Sequence, residues 1–168
     1  MLTATLRETL TDKNGVPFVA RDYEAADLPA LVSMYADFEP KRAAQGLPPP
    51  GEARIRIWLV PVLARGRHIV MESEGRLRGH IMLIPRNDDS IELANFLHQS
   101  IRGRGLGTAM NMLALRLARE AGAARVWLSV EPGNRAAVRS YEKVGFRRLP
   151  GSLWAPEIEM ELSLARAE

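Results

Sequence analysis

The stretch that decides the fold spans residues 99–108, with the sequence Gln99-Ser100-Ile101-Arg102-Gly103-Arg104-Gly105-Leu106-Gly107-Thr108. It follows a strand pattern and precedes the most regular helical pattern in the chain. Its three glycines carry no side chains, so backbone N–H groups can close around phosphate oxygens. The helix that follows adds free amides and its positive dipole end. Two arginines and a threonine hydroxyl complete a loop that predicts a pyrophosphate site.

The loop alone leaves other interpretations open. It is not a Walker loop, because no Gly-Lys-Ser/Thr follows, and its Arg-x-x-Gly-x-Gly spacing fits a Rossmann fingerprint poorly. A glycine-rich turn between a strand and a helix can also bind nothing. The prediction of a phosphate site therefore depends on what surrounds the loop.

Hydrophobic periodicity and turn residues predict eleven elements around the loop. Strands are expected over residues 2–11, 16–21, 67–72, 76–85, 91–97, 125–130 and 157–164, and helices over residues 27–38, 52–63, 107–121 and 134–144. Asn14-Gly15 predicts a type I′ turn, because both residues tolerate a positive φ. Asp27 is expected to cap the first helix. Gly122 and Gly145 are expected to end the third and fourth helices.

The order β-β-α-α-β-β-β-α-β-α-β predicts an α/β protein with a twisted mixed sheet flanked by helices. Its hairpins favour antiparallel pairing, and its late strand-helix-strand crossovers favour parallel pairing. No repeat or interdomain linker interrupts the pattern, so we expect residues 1–168 to form a single domain.

Composition narrows the classes of function. The chain has 168 residues, 46% of them hydrophobic and 26% charged, which is typical of a globular protein. It has no cysteine, which excludes disulfides and thiolate chemistry. His68, His80 and His98 show no metal-ligand spacing, so no metal is expected. No stretch predicts a signal peptide or a membrane span, and we expect a cytoplasmic protein.

The formal net charge is +3, which raises the question of nucleic-acid binding. The basic residues are spread along the chain without a dense run or interleaved aromatic residues. A polyphosphate ligand explains the charge equally well, so neither nucleic acid nor a membrane is an expected partner. A nucleic-acid binder would instead show steep salt dependence on DNA or RNA.

A second motif follows one helix and one strand after the loop. It has the pattern Asn134-x-x-Ala137-x-x-x-Tyr141-x-x-x-Gly145-Phe146. Together with Arg102-x-x-Gly105-x-Gly107, it resembles the GNAT N-acetyltransferases over roughly residues 76–162. The resemblance implies the GNAT fold with an extra N-terminal hairpin. It also implies transfer of the acetyl group of acetyl-coenzyme A to a primary amine by direct attack in a ternary complex.

The resemblance also implies roles for individual residues. The pyrophosphate would lie on residues 102–108, and the pantetheine arm would pair with the backbone at Phe96, Leu97 and His98. A backbone N–H near Leu97 would stabilise the oxyanion. Asn134 would cap its helix, contact the pantetheine, or do both. Tyr141 would be the general acid toward the leaving thiolate, although it also lies on an apolar stripe typical of a core residue.

The base has two interpretations. Glu92 precedes the loop on its strand, where several relatives carry a glutamate, yet its alternation with Ile91 and Leu93 equally fits a solvent-facing residue. Ordered water would replace it if no dedicated base exists. Ribosomal-protein N-terminal acetyltransferases of this superfamily carry a glutamate five residues before the motif asparagine, and here that position is Ser129. For His98, a surface position is favoured over a role as a proton relay.

The acceptor is the least defined part of the prediction. Family resemblance places acceptor specificity in residues 38–58 and 149–158, which include Phe38, Trp58 and Trp154; for Trp58 a core position is favoured. A small-molecule amine is slightly preferred, with a protein lysine or N-terminus as the alternative. A non-catalytic acyl-coenzyme A binder is a further alternative, against which Tyr141 argues. Both a monomer and a homodimer fit the sequence.

Overall fold

The computed structural model describes residues 4–41, 47–151 and 155–164. Its regular elements are β1 (Arg7–Thr11), β2 (Pro17–Asp22), α1 (Leu28–Asp37), α2 (Glu52–Leu63), β3 (Arg67–Ser73), β4 (Arg76–Pro85), β5 (Ser90–Leu97), α3 (Leu106–Glu120), β6 (Arg125–Val130), α4 (Arg135–Lys143), β7 (Arg147–Arg148) and β8 (Ile158–Ser163). Single 3-10 turns cover Ala25–Asp27 and Gln99–Ile101. No helix in the described part of the chain is both long and apolar enough to cross a bilayer.

Backbone hydrogen bonds join the strands in the order β1-β2-β3-β4-β5-β6-β8-β7. The β1–β2, β2–β3 and β6–β8 pairs are antiparallel, whereas β5 and β6 are parallel. The predicted α/β class, mixed sheet and element order are therefore confirmed. The prediction missed the two-residue strand β7, and it began β1 too early, since that strand starts at Arg7.

The chain divides into two compact units. The first comprises Met1–His80 and Phe96–Arg104, and the second comprises Ile81–Asn95 and Gly105–Glu168. The single domain stays a prediction.

An aromatic cluster fills the core of the first unit. Tyr35 comes from α1, Phe38 from the position directly after α1, Trp58 from α2 and Phe96 from β5, with ring centroids 5.1 to 5.9 Å apart. Edge-to-face pairs at such spacing stabilise a core beyond their buried area. Phe38 is buried. Trp58 packs against Tyr35 and Phe96 but is only half-buried, so it contributes to the cluster without occupying the fully buried core position that was favoured for it.

A chain of three buried polar side chains lies beside this cluster. The Tyr35 hydroxyl lies 2.7 Å from Nδ1 of His80, and Nε2 of His80 lies 3.0 Å from Nδ1 of His68. Nε2 of His68 contacts the carbonyls of Val62 and Arg65 at 3.0 and 2.8 Å. Carbonyls only accept, so Nε2 of His68 donates. Burial lowers the pKa of both imidazoles, so both are neutral at neutral pH. A neutral His68 that donates from Nε2 accepts from His80, which in turn accepts from Tyr35.

The turn between β1 and β2 differs from the prediction. Gly15 has a φ of +79°, but Asn14 is not among the residues with positive φ, so the type I′ turn was wrong. The Asp12 carboxylate accepts the N–H groups of Asn14 and Val16, both at 2.8 Å, and Gly15 N–H bonds to the Asp12 carbonyl. These bonds favour an Asx-stabilised turn, with the left-handed conformation confined to glycine.

The start of α1 also departs from expectation. Asp27 occupies the cap position, but its side chain makes no capping bond to α1. Its carboxylate instead accepts Arg21 at 2.8 and 2.7 Å and the Glu24 N–H at 2.8 Å. It therefore joins β2 to the 3-10 turn ahead of the helix.

The second unit is built on α3, whose apolar stripe is buried as predicted. Gly122, with a φ of +78°, follows the end of α3, and Gly145, with a φ of +108°, follows α4. Both helix ends therefore use glycine where a positive φ is required, as predicted. The Cβ of a residue replacing Gly107 would lie 3.7 Å from Ser140 Oγ, so α3 and α4 approach closely there.

Candidate active site

Two parallel strands separate in the second unit. β5 and β6 pair at Ser90–Arg125, Ile91–Val126 and Glu92–Trp127, and the pairing ends there. β5 nevertheless continues to Leu97 and β6 to Val130. Beyond the last pair, the strands no longer use their facing backbone N–H and C=O groups on each other. Such an opening can take an extended ligand that supplies the missing hydrogen bonds.

The predicted phosphate loop has a strained backbone that glycine relieves. Gly103 and Gly105 have φ values of +75° and +81°, and Gly105 forms the N-terminal cap of α3 without any side chain. A Cβ at Gly103 would meet no atom within 4 Å, so the space beside it is open. The amides of the first turn of α3 have no capping side chain, which leaves them free for an anion.

The two arginines of the loop contact protein groups. Nε of Arg102 donates to the Leu97 carbonyl at 2.8 Å, and its guanidinium also bonds to the Glu39 carbonyl and lies 5.0 Å from the ring of Phe38. Arg102 therefore ties the end of β5 to the segment after α1. Its side chain supports the loop in addition to any role toward a phosphate.

Arg104 is held by the N-terminal hairpin. Its Nε donates to Oδ2 of Asp12 at 2.7 Å, its carbonyl accepts the Lys13 N–H at 3.0 Å, and its guanidinium lies 5.1 Å from the ring of Phe18. The Asp12 side chain is fully buried. Burial opposes its ionisation, but hydrogen bonds from Val16, Arg104 and Asn14 outweigh this and hold the pKa of Asp12 below its usual value.

A polar network crosses the second unit behind the loop. Thr108 Oγ1 lies 3.2 Å from Ser140 Oγ, which also accepts from Nδ2 of Asn111 at 3.1 Å. Oδ1 of Asn111 in turn accepts from Nδ2 of Asn95 at 2.7 Å. Sequence reasoning missed Asn95, Asn111 and Ser140. The buried amide at position 111, inside an apolar helix stripe, was the one available signal.

Tyr141 follows this network on α4. Its side chain is 8% exposed and packs edge-on against Phe146, with ring centroids 5.6 Å apart. Burial raises the pKa of the Tyr141 phenol to about 12, so the hydroxyl stays protonated at neutral pH. Among the described residues this hydroxyl has no hydrogen-bond partner, yet the only fully enclosed, unpartnered side-chain oxygen or nitrogen is Oδ1 of Asn95. The Tyr141 hydroxyl is therefore not completely enclosed.

Asn134 caps α4, because its Oδ1 accepts the Ala137 N–H at 3.2 Å. This confirms the capping interpretation, and its exposed position leaves a contact with pantetheine compatible. Glu92 is half-buried and belongs to the last residue pair before β5 and β6 separate. Its role as a base stays a prediction.

His98 is not the surface residue that the sequence favoured. It is 3% exposed, because its ring lies between two partners. Nδ1 accepts the Ser100 N–H at 3.2 Å, and Nε2 lies 2.9 Å from Oδ2 of Asp37. The Nε2 proton is therefore directed at the carboxylate of Asp37, which is 75% exposed.

A cavity of about 450 Å³ lies in the first unit beside this pair. Its lining residues are Asp27, Ala30, Ser33, Met34, Asp37, Glu72, Gly75, Arg76, Leu77, Arg78 and His98. Of the segments expected to select the acceptor, residues 38–58 and 149–158, no described residue contributes to this lining. Trp154 lies outside the described residues. Within the described ranges, no group of three His, Cys, Asp or Glu side chains could hold a metal.

Comparison with known proteins identifies the family. The model of the acetyltransferase (GNAT) family matches residues 29–146, which includes both sequence motifs and the separating strands. The chain belongs to the GNAT family. The match begins after β1 and β2, so the hairpin that holds Arg104 lies outside it.

Individual GNAT relatives are similar over shorter stretches. An uncharacterized N-acetyltransferase of Mycobacterium bovis is 39% identical over 75 residues, which cover 44% of this chain and 48% of the relative. The chain thus aligns with about half the length of that curated relative. The GNAT domain of S. lividans PAT superimposes with a TM-score of 0.77 at 16% identity, covering 94% of this chain and 97% of that one. A putative acetyltransferase from Salmonella typhimurium, solved with acetyl-CoA, has a TM-score of 0.68 at 18% identity and coverage of 89% and 95%. At these identities the solved structures support the GNAT fold alone.

Proposed function

We propose that this protein transfers the acetyl group of acetyl-coenzyme A to a primary amine of a small molecule, by direct attack in a ternary complex. The observation that carries the proposal is the end of β5–β6 pairing at Glu92–Trp127, with a glycine loop following β5. An extended pantetheine arm, which carries amide groups, suits backbone that two strands leave unpaired. A pyrophosphate suits the uncapped amides at the start of α3.

The residues would act as follows. The backbone of residues 102–108 holds the pyrophosphate, and the backbone at Phe96, Leu97 and His98 pairs with the pantetheine arm. The neutral amine attacks the thioester carbonyl, the N–H near Leu97 stabilises the oxyanion, and the carbon–sulfur bond then breaks. The amine proton passes to Glu92 or to water. Asn134 contacts the pantetheine in addition to capping α4.

Tyr141 would serve the leaving thiolate chiefly as a hydrogen-bond donor. Burial raises its pKa to about 12, whereas a free thiol titrates near 8.5. Because the pKa of this phenol lies above that of a free thiol, complete proton transfer from the phenol to the thiolate would be uphill. A hydrogen bond from the phenol to sulfur does not require this unfavourable proton transfer. It strengthens as negative charge develops on sulfur and therefore stabilises the transition state.

A small-molecule acceptor is supported by the cavity beside His98. Its volume of about 450 Å³ falls in the range of ligand pockets. Asp27, Asp37 and Glu72 are among its lining residues, and carboxylates attract a cationic amine. His98 directly follows Leu97, the proposed site of oxyanion stabilisation.

The test combines coenzyme binding with thiol release. Calorimetry should show micromolar binding of acetyl-coenzyme A and coenzyme A but not of NADPH. Thiol release should then occur with members of a small-amine panel and be slower with peptides that offer a lysine or a free N-terminus. Release with peptides alone would favour the protein-acetyltransferase alternative. Binding without release across both panels would favour a non-catalytic binder.

Two variants assign the roles. Gly105→Glu adds bulk and negative charge at a position with a φ of +81° and should abolish coenzyme binding in a folded protein. Tyr141→Phe should keep coenzyme affinity and lower kcat about tenfold or more. Tyr23→Phe, a matched change in the first unit, should leave kcat unchanged. Equal kcat values for the wild type and Tyr141→Phe would reduce Tyr141 to a packing residue.

A further inference from the structure

The elements that line the cavity of the first unit indicate what kind of ligand it can bind. One wall is a stripe of α1, where Asp27, Ala30, Met34 and Asp37 recur at helical spacing. The other wall is the end of the β3–β4 hairpin, and His98 closes one end. At 1.5 Å of rise per residue, the α1 stripe is about 15 Å long. A ligand in this groove therefore contacts a helix on one side and a hairpin on the other.

The carboxylates of this cavity differ in how they are compensated. Asp27 and Glu72 share Arg21, whose Nη2 lies 2.7 and 2.8 Å from their oxygens. Among the described residues, the Asp37 carboxylate contacts only the Nε2–H of His98, whose Nδ1 accepts a backbone N–H. Asp37 therefore keeps its negative charge unmatched by a cation, and its carboxylate is 75% exposed.

Two cations face the same cavity without a partner. Arg76 and Arg78 are two residues apart on β4, so they lie on one face of the strand. That face also carries His80, which contacts Tyr35 of α1. Within the described ranges neither guanidinium group makes a hydrogen bond, an ion pair or a ring contact, although three carboxylates line the same cavity. An unpaired guanidinium in a cavity is suited to bidentate contact with a carboxylate.

Arg78 and the Asp37–His98 pair lie next to each other. The Arg78 carbonyl accepts the His98 N–H at 2.8 Å, so these residues are neighbours across two strands. Asp37 and Arg78 line the same cavity. A cation and an anion that share a cavity without pairing to each other suit a zwitterion, such as a molecule in which amine and carboxylate share one carbon.

We propose that the acceptor is a free α-amino acid. Its carboxylate is bound by Arg78, with Arg76 beside it, and its α-amino group is oriented by Asp37 and His98 toward the end of β5. This inference rests on the proposed acetyl transfer and narrows its acceptor. The reaction forms an amide bond at the α-nitrogen, breaks the carbon–sulfur bond of the thioester, and releases coenzyme A with the proton lost by the amine.

The test compares substrates that differ in one charge. Each of the common amino acids is paired with its methyl ester, which keeps the amine and removes the negative charge. Thiol release by the wild type should show, for at least one pair, a kcat/KM at least tenfold higher for the amino acid than for its ester. An equal or higher kcat/KM for every ester would overturn the proposal.

Variants locate the effect. Arg78→Gln should raise KM for the preferred amino acid at least tenfold, leave kcat/KM for its ester within twofold, and leave the Kd of coenzyme A unchanged. Arg119→Gln, a change of the same charge at an exposed position of α3, should alter none of these values. Equal losses for amino acid and ester, or equal effects of Arg78→Gln and Arg119→Gln, would also overturn the proposal.

A binding measurement separates this proposal from the proposed function. Saturation-transfer NMR on the wild type and on Arg78→Gln reports contact of the amino acid with the protein, whether or not acetyl transfer occurs. Binding that Arg78→Gln abolishes, without any thiol release, would support the subsite and contradict the transferase activity. Coenzyme binding and ester turnover without amino-acid binding would contradict the subsite alone.

Discussion

The Tyr35–His80–His68 chain makes the stability of the protein depend on pH below neutrality. Burial, together with the neighbouring His68, holds the pKa of His80 well below 6.5, and burial also lowers the pKa of His68. Above pH 6.5 the folded and unfolded states are both neutral at these positions. As the pH falls below 6.5, His68 and His80 become protonated in the unfolded chain but stay neutral in the folded protein. The free energy of unfolding therefore decreases from pH 6.5 downward until the folded pKa is reached.

The size of the effect follows from the unfolded pKa. One unit below it, at about pH 5.5, each histidine that stays neutral in the folded state lowers the free energy of unfolding by about 1.4 kcal/mol. His80 is fully buried and His68 is 5% exposed, so the two together should contribute between about 1.4 and 2.8 kcal/mol. Urea unfolding followed by circular dichroism at about pH 7.5 and 5.5 measures this difference directly.

A variant isolates the contribution of His80. His80→Gln cannot titrate, so its loss of stability between the two pH values should be smaller than that of the wild type by about 1.4 kcal/mol. Asp22 and Asp27 do not interfere, because ion pairs hold their pKa values below 3.8 and their contribution is lost only at lower pH. If the wild type is equally stable at both pH values, or His80→Gln loses as much as the wild type, the assignment of two neutral imidazoles is wrong.

Three further predictions concern glycines with positive φ, the cap of α4 and the ion pair between Arg67 and Asp22. Gly145→Ala should lower the free energy of unfolding by about 2 kcal/mol, because φ is +108° and the new Cβ would lie 3.1 Å from Leu162 Cδ1. Gly15→Ala, with similar strain but no atom within 4 Å, should cost about 1 kcal/mol, and equal urea midpoints would contradict the clash. Asn134→Ala should cost about 1 kcal/mol through the lost cap, whereas Asn134→Gly should cost only a few tenths by thermal unfolding. Arg67→Leu leaves the Asp22 carboxylate with only the Leu6 N–H and should lower the urea midpoint; an unchanged midpoint would mean that this ion pair contributes nothing.

Sequence patterns predicted the helices and strands whose limits depend on neighbouring residues in the chain. α2 begins and ends at the predicted residues, and β4 and β6 also match. Their periodicity extends over several residues, and turn residues mark their ends. β7 was missed because two consecutive arginines show no alternation, and its pairing with β8 is a tertiary contact. The prediction of a type I′ turn was wrong because it considered only Asn14 and Gly15. The Asp12 side chain accepts the N–H groups of Asn14 and Val16 and so stabilises a different turn.

In the candidate site too, some features could be predicted from the sequence and others depend on tertiary contacts. Glycine spacing and the Tyr141 motif predicted the loop and the buried tyrosine, since both depend on short-range sequence. The partners of charged side chains could not be predicted in this way. Asp37 lies 61 residues from His98, and Asp12 lies 92 residues from Arg104. Only the folded chain brings these groups together, which is why His98 was expected at the surface and both loop arginines were expected to serve a phosphate.

The clamp between Asp12 and Arg104 also bears on the order in which the protein folds. The first unit contains Phe96–Arg104, which the ribosome adds only after residues 81–95 of the second unit. When a nascent chain has emerged only as far as His80, β1 can pair with β2 and β2 with β3. Arg104, which binds the carboxylate of Asp12, has not yet emerged at that stage. Closing a chain segment of this length costs loop entropy for a single ion pair, so we expect the contact to form after the folding transition state. Loss of the clamp should therefore mainly accelerate unfolding and leave the refolding rate nearly unchanged.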